Sequence, residues 1–316
     1  MTNINNKLNI VFLDADTLGT DVSLDPISAN GNLVIYPNTQ PSQIVERAKD
    51  CDVLIVNKIK IGKEQIDALP NLKLICEAAT GVDNIDVAYA TSKGISVKNA
   101  KGYSTESVVQ VNFTILLALL GNIEYFDNFV KSGDYTTSNC FTNVQRVFWE
   151  LKGKKYGIIG LGNIGTKVAH IAQAFGMEVI YYPTSGKAHS NEFKAVSLDE
   201  LMSNCDVISI HAPMNDNTRN LITYDKLKLM KKSAYIINLG RGGIINESDL
   251  VQALNDNCLA GAGIDVFTAE PLPADSPYFA IKDKSKILLT PHIGWCSREA
   301  RESLISMVAD NIKSIL

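Results

Sequence analysis

The hexamer "GLGNIG" at positions 160 to 165 constrains this chain more than any other stretch. The apolar run "YGII" stands before it, and "NIGTKVAHIAQAF" follows, with Ile164, Val168, Ile171 and Phe175 at helical spacing until Gly176 ends the run. A G-x-G-x-x-G hexamer alone is a weak signal, but strand, tight turn and helix together form a phosphate-binding unit. Glycines permit the sharp turn and the close approach of a pyrophosphate to the backbone, and the helix N-terminus offers unpaired N–H groups and a positive dipole end. Gly160, Gly162, Asn163, Ile164 and Gly165 are therefore expected to hold a dinucleotide.

Strand-like runs surround this unit. "LNIVFLDA", "NLVIYP", "DVLIVNK", "LKLICEAAT" and "ISVKNA" come before it; "YGIIGLG", "EVIYY", "DVISIHAP", "SAYIINLG", "AGAGIDVF" and "KILLTPH" make a second series. Helical or polar segments separate them, which predicts an α/β fold with two parallel-sheet units. The length of 316 residues, 46% of them hydrophobic, is enough for two domains with separate cores. A long helix is expected after Ser104 as N-cap, with Glu106 in its first turn and an apolar surface broader than one core needs. The closing stretch "SREARESLISMVADNIKSIL" reads as an amphipathic helix, and its return to the first unit would make that unit discontinuous.

Composition narrows the partners. A net charge of -4 without a Lys/Arg block argues against nucleic acid. The richest apolar stretch, "FTILLALLG", is half of what a membrane span needs, and the polar head "MTNINN" leads into a run too short for a signal-peptide core, so no membrane association and a cytoplasmic location are expected. Six cysteines lie scattered without CxxC spacing; no metal site or disulfide framework is expected, and most should be small buried hydrophobes.

In open parallel sheets, ligands bind beyond the carboxyl ends of strands. Arg241 follows "YIINLG", Glu270 follows "GIDVF", His292 follows "KILLTP", and Asp265 lies within "GIDVF". These residue types suit hydride transfer between a hydroxy acid and a nicotinamide: histidine as the base for the hydroxyl proton, arginine as the cation for the carboxylate, and a glutamate to orient the imidazole. His211, in "SIHAP", reads as a cofactor-wall or packing residue. The strand "EVIYY" ends at Tyr182, where a carboxylate would normally receive the ribose hydroxyls; Pro183 stands there instead, followed by Thr184, Ser185 and Lys187. This predicts relaxed specificity, with NAD and NADP both used.

The runs "GIIGLGNIG", "HAPMNDNTRNLI", "INLGRGGIINESDLVQAL", "AGAGIDVFTAEPLP" and "LLTPHIGW" resemble, in order, the D-isomer-specific 2-hydroxyacid dehydrogenases, and the likeness covers nearly the whole chain. The resemblance implies two doubly wound parallel-sheet domains: a Rossmann-type dinucleotide-binding domain at 101–292, with the dimerisation helix, inserted into a flavodoxin-like substrate domain at 1–100 and 293–316. It implies catalytic roles for Arg241, Glu270 and His292, and a supporting aspartate at Asp265. Cofactor contacts are expected from Tyr182, Pro183, Thr184, His211, Ala212, Pro213, Thr218, Leu239, Gly240, Asp265 and Gly294 besides the glycine turn. The stretch "ATGVDNID" matches the loop holding the substrate carboxylate, pointing to Thr80 and Gly81, with Ala79 where many relatives have glycine; Asn57 and Lys58 in "VNKIKIG" are side-chain candidates for substrate contact. Trp295 reads equally as a pocket-narrowing or a packing residue. The resemblance leans towards glycerate dehydrogenases, or hydroxypyruvate reductases, acting as homodimers on a small 2-oxo or 2-hydroxy acid such as hydroxypyruvate, D-glycerate or glyoxylate. A D-lactate-type dehydrogenase and a dinucleotide-sensing regulatory protein of the same fold are the alternatives.

Overall fold

The computed structural model describes residues 7–316, so the polar head at 1–6 lies outside the described residues. Five short runs rich in Val, Ile and Leu form a first parallel sheet: β1 (Leu8–Phe12), β2 (Gly31–Ile35), β3 (Val53–Val56), β4 (Leu74–Glu77) and β5 (Ser96–Lys98). Their order is β2-β1-β3-β4-β5, the flavodoxin-like winding. Strands β3 and β4 are buried at every residue because a parallel sheet is covered on both faces; β3 is apolar throughout, and β4 is apolar up to its closing Glu77.

Seven further strands form the second parallel sheet: β6 (Lys155–Ile159), β7 (Glu178–Tyr182), β8 (Lys194–Ala195), β9 (Val207–Ile210), β10 (Tyr235–Asn238), β11 (Gly261–Ile264) and β12 (Ile287–Leu289). Their order, β12-β11-β10-β9-β6-β7-β8, is Rossmann-type, and it reverses between β6 and β9. The two-residue strand β8 is absent from the sequence reading because so short an edge carries no periodicity.

The chain divides into two compact units: the described residues up to Ser104 with Trp295–Leu316, and Thr105–Gly294. These breaks fall slightly later than 100/101 and 292/293. Tyr103 packs edge-on against Trp295 within the first unit, at 6.3 Å between centroids, while the backbone N–H groups of Ile293 and Gly294 are held by Asp265 of the second.

The closing helix, Arg298–Lys313, starts at Ser297, whose side chain accepts from Ala300 N. Its apolar face (Leu304, Ile305, Val308, Ala309, Ile312) packs with Ile10, Phe12, Ile55 and Leu74 of the first sheet. Burying each of its larger side chains contributes about 1.5–3 kcal/mol, enough to hold this segment to the first unit.

The helix Thr105–Leu120 corrects one expectation. Its broad apolar surface is largely covered inside its own unit: Val108, Val109, Phe113, Ile115, Leu116, Leu119 and Leu120 are all buried, in one cluster with Tyr156, Ile158, Val168 and Ile237. Leu117 is the one large apolar residue of the helix that is exposed, and the most exposed apolar side chains, Phe141, Val144 and Val147, lie in the segment that follows it. No single helix among the described residues is long and apolar enough to cross a membrane. Three cysteines, Cys51, Cys76 and Cys205, are buried, and burial pushes their thiols up to about 12; Cys140 is exposed and Cys258 and Cys296 are partly so, fewer buried than expected.

Candidate functional site

The glycine turn leaves β6 with Gly160 at φ 90°, a conformation that side chains rarely adopt. A Cβ on Gly165 would stand 2.3 Å from the Gly160 carbonyl oxygen, so the helix Asn163–Ala174 begins hard against the turn. Gly162 faces open space, with nothing within 4 Å of a Cβ built there, and no side chain caps the helix. Unpaired first-turn N–H groups beneath an open glycine fit the pyrophosphate of a dinucleotide. The end of β7 lies alongside, since Gly160 N donates to Tyr182 O at 3.1 Å.

At the end of β9, His211 has a buried ring. Its Nε2 pairs with Ser209 Oγ at 2.8 Å, and buried Nδ1 has no partner. Burial pushes this imidazole down to about 3, so it is neutral and suits a wall rather than a base. Ala212 closes against Gly160, whose added Cβ would meet it at 3.0 Å. Thr218, expected to contact the cofactor, is instead fully buried, and its hydroxyl donates to Pro213 O at 2.7 Å and accepts from Asn215 N, shaping the loop from within.

Beyond β10, buried Asn238 pins the turn that carries Arg241: its amide donates to Arg241 O and accepts from Gly240 N. Leu239 is buried and Gly240 lies against Ala212 O. Gly242 is in contact with the next segment, because an added Cβ would stand 2.0 Å from the carbonyl carbon of Phe267. Phe267 N in turn donates to Glu270 Oε1 at 3.0 Å, and Glu270 Oε2 lies 2.7 Å from His292 Nδ1. Arg241, Glu270 and His292 are thus joined through one run of contacts.

His292 has φ 55°. Asp265, 1% exposed, holds it there: Oδ1 accepts from Thr290 Oγ1 and Ile293 N, and Oδ2 from Gly294 N. Expected among the cofactor contacts, Asp265 instead spends both oxygens on the loop around the histidine. Burial holds its pKa above the usual carboxylate range against these hydrogen bonds.

In the first unit, Asp14 at the end of β1 accepts backbone N–H groups from Asn57, Lys58 and Ile59, fixing the loop after β3. Asn57 is 4% exposed and its amide donates to Thr17 Oγ1, so it holds the loop rather than presenting a substrate contact; the Lys58 side chain is exposed. The loop after β4 is tied by Thr80 Oγ1 donating to Ala100 O and Asn99 Nδ2 donating to Thr80 O; Gly81 is half-buried. Asn84 joins the two loops, donating to Ile59 O and to Glu77 Oε2, each at 2.9 Å. Asp14, Glu77, Asn84 and Asn238 escaped the sequence reading. The available signal was a polar residue closing an apolar strand in "FLDAD", "LICEA" and "YIINL".

Among the described residues, no group of three or more His, Cys, Asp or Glu side chains could hold a metal ion. Residues 113–294 match the family described as D-isomer specific 2-hydroxyacid dehydrogenase, NAD binding domain. A glycerate dehydrogenase of Methylorubrum extorquens is 34% identical over 97% of this chain and 96% of its own length. A hydroxypyruvate reductase of Blautia hydrogenotrophica is likewise 34% identical, over 98% and 97%. Among solved structures, an acyclic imino acid reductase in complex with NADPH and D-Arg superposes with a TM-score of 0.85 at 31% identity, covering 98% of this chain and 97% of that one.

Glu77 generates a prediction. It is fully buried, Oε1 has no partner, and burial pushes its pKa up from 4.5 to about 9. Between those values the folded chain keeps a proton that the unfolded chain releases, so stability contributed by this group is whole below about 4.5 and falls as pH rises towards about 9. Glu77→Gln keeps an acceptor for Asn84 and needs no proton. Its thermal midpoint should gain on the unmodified protein as pH rises through that window, by an amount on the order of several kcal/mol in stability. A constant difference across the range would refute the buried neutral acid.

Proposed function

The chain belongs to the D-isomer specific 2-hydroxyacid dehydrogenase family, and we propose that its substrate is a small unphosphorylated 2-oxo acid of the hydroxypyruvate or glyoxylate kind, reduced to the D-2-hydroxy acid. Nicotinamide-linked oxidoreduction of 2-hydroxy acids is the activity of this family and of this chain. The substrate choice is supported by relatives named for hydroxypyruvate, glycerate and glyoxylate, and by a loop "VNKIKIG" that offers no arginine to a phosphate.

The observation that carries the mechanism is the 2.7 Å contact between His292 Nδ1 and Glu270 Oε2. A carboxylate on Nδ1 keeps a hydrogen there and fixes the ring, which leaves Nε2 to exchange a proton with the substrate's carbonyl oxygen. Arg241 supplies a planar fork for the substrate carboxylate and polarises the carbonyl through charge-assisted hydrogen bonds. When bound, the reduced dinucleotide supplies the hydride. In oxidation, neutral Nε2 takes the hydroxyl proton instead.

Both NADH and NADPH are accepted in this reading. Pro183 offers no carboxylate and no N–H to the adenosine ribose, which removes about 1.5 to 3 kcal/mol of charge-assisted binding for NADH. No acid at that position repels a 2′-phosphate, and Thr184, Ser185 and Lys187 supply donors.

The protein acts as a homodimer built on the segment after the long helix. Phe141, Val144 and Val147 are 87%, 77% and 85% exposed, and Phe126, Phe129, Val130, Tyr135 and Phe148 line an apolar hollow beside them. A two-fold interface buries the same patch on both copies, so a second copy of the chain is a partner that covers it.

Three outcomes test these readings. His292→Gln should lose turnover by roughly 10²-fold or more while dinucleotide binding stays nearly intact, and in the unmodified enzyme kcat/KM for reduction should fall, and for oxidation rise, as pH increases; near-full activity in the variant removes His292 from the mechanism. With hydroxypyruvate, NADPH should be at least competitive with NADH, and Pro183→Asp should shift preference to NADH; an NADH preference beyond roughly a hundredfold, about 2.7 kcal/mol, in the unmodified enzyme overturns the reading of Pro183. Light scattering should give the mass of a dimer, and replacing both Phe141 and Val147 with Asp should yield a folded monomer; a dimer of undiminished stability in that variant places the interface elsewhere.

A further inference from the structure

The loop 183–190 does not hang free from β7. Gly186 N donates to Pro183 O at 3.0 Å, closing a turn whose tip, Ser185 to Lys187, is exposed. The chain then doubles back over its own strand: the hydroxyl of Tyr181, a fully buried residue of β7, accepts from His189 N at 2.9 Å and from Ser190 N at 3.2 Å. The His189 ring stands edge-on to Tyr181, at 5.6 Å between centroids and 68° between planes.

From that seat His189 Nε2 reaches Leu161 O at 2.9 Å. Leu161 is the second residue of the glycine turn, and a carbonyl oxygen only accepts, so Nε2 carries the hydrogen and donates. Nδ1 lies 3.4 Å from Lys187 O, at the exposed tip of the same loop. One side chain thus connects the turn expected to hold the pyrophosphate with the loop expected to meet the adenosine ribose.

We propose that His189 is a positioning residue for the 2′-phosphate end of the cofactor: its bond to Leu161 fixes the 183–190 loop against the glycine turn, and so presents Thr184, Ser185 and Lys187 to the ribose. This rests on the relaxed cofactor specificity proposed above and names the device behind it. The effect is selective. Pro183 gives an unphosphorylated ribose almost nothing to lose when the loop loosens, whereas the 2′-phosphate draws its donors from the loop tip. Donors held in place bind without the ordering cost that a loose loop must meet on each encounter.

The experiment measures binding of 2′,5′-ADP and 5′-AMP, which share the adenosine and differ by the 2′-phosphate, to the unmodified protein and to His189→Ala. Unmodified protein should bind 2′,5′-ADP at least as tightly as 5′-AMP. The variant should lose about tenfold for 2′,5′-ADP, the size of one hydrogen bond to a charged group, and change by less than about twofold for 5′-AMP. Turnover at saturating NADPH should be unchanged, and His189→Gln, which keeps an amide donor, should recover part of the loss. Unmodified protein that binds 2′,5′-ADP more weakly than 5′-AMP overturns relaxed specificity and the positioning role together. If it binds 2′,5′-ADP well but the variant loses both ligands equally, or neither, relaxed specificity stands and the role of His189 falls.

Discussion

The carboxylate of Asp265 decides where the histidine of this fold stands. It sits just past β11, is almost fully buried, and accepts from the side chain or backbone of Thr290, Ile293 and Gly294. His292 lies in the middle of that grip with φ 55°, a conformation costing on the order of 1–2 kcal/mol for a residue with a side chain. Three hydrogen bonds to one carboxylate are enough to hold it there. The strain is local, and its result is a ring turned to Glu270 by Nδ1, with the chain leaving for the first unit at Trp295.

The first unit orders its loops by the same device in two charge states. Asp14 accepts backbone N–H groups from three successive residues, a setting that stabilises a carboxylate even as burial raises its pKa. Glu77 has one donor, Asn84, for two oxygens, and burial outweighs that single bond, so this acid stays protonated at neutral pH. Together they fix both loops that carry the expected substrate contacts. Polar residues at the ends of buried parallel strands act here as loop anchors.

The βα unit around "GLGNIG", the two parallel sheets and the return of the closing helix were legible because each rests on local pattern: strand runs, a glycine turn, helical periodicity. The neighbourhood of Arg241, Glu270 and His292 was legible from their shared position after strands. Side-chain direction was not. Asn57, Thr218 and Asp265 are polar residues in suggestive places whose side chains turn inward to bind Thr17, Pro213 and the loop of His292, and only the tertiary fold decides that turn. The surface of the helix Thr105–Leu120 misled for a related reason. Periodicity counts apolar positions, but it does not say whether a core on one side or a partner on another covers them.

The topology also separates two groups of candidate residues within the second unit. Pro183 and its loop follow β7, on one side of the point where the strand order reverses; Arg241, Glu270 and His292 follow β10, β11 and β12 on the other. The loop expected at the ribose is tied to Tyr181 and Leu161, whereas the histidine is tied to Glu270 and its loop to Asp265. In the reading proposed above, a substitution at Pro183 would change the ribose end without removing a hydrogen bond of Asp265 or the contact between Glu270 and His292, so a missing ribose acid carries no information about whether the chemistry is intact.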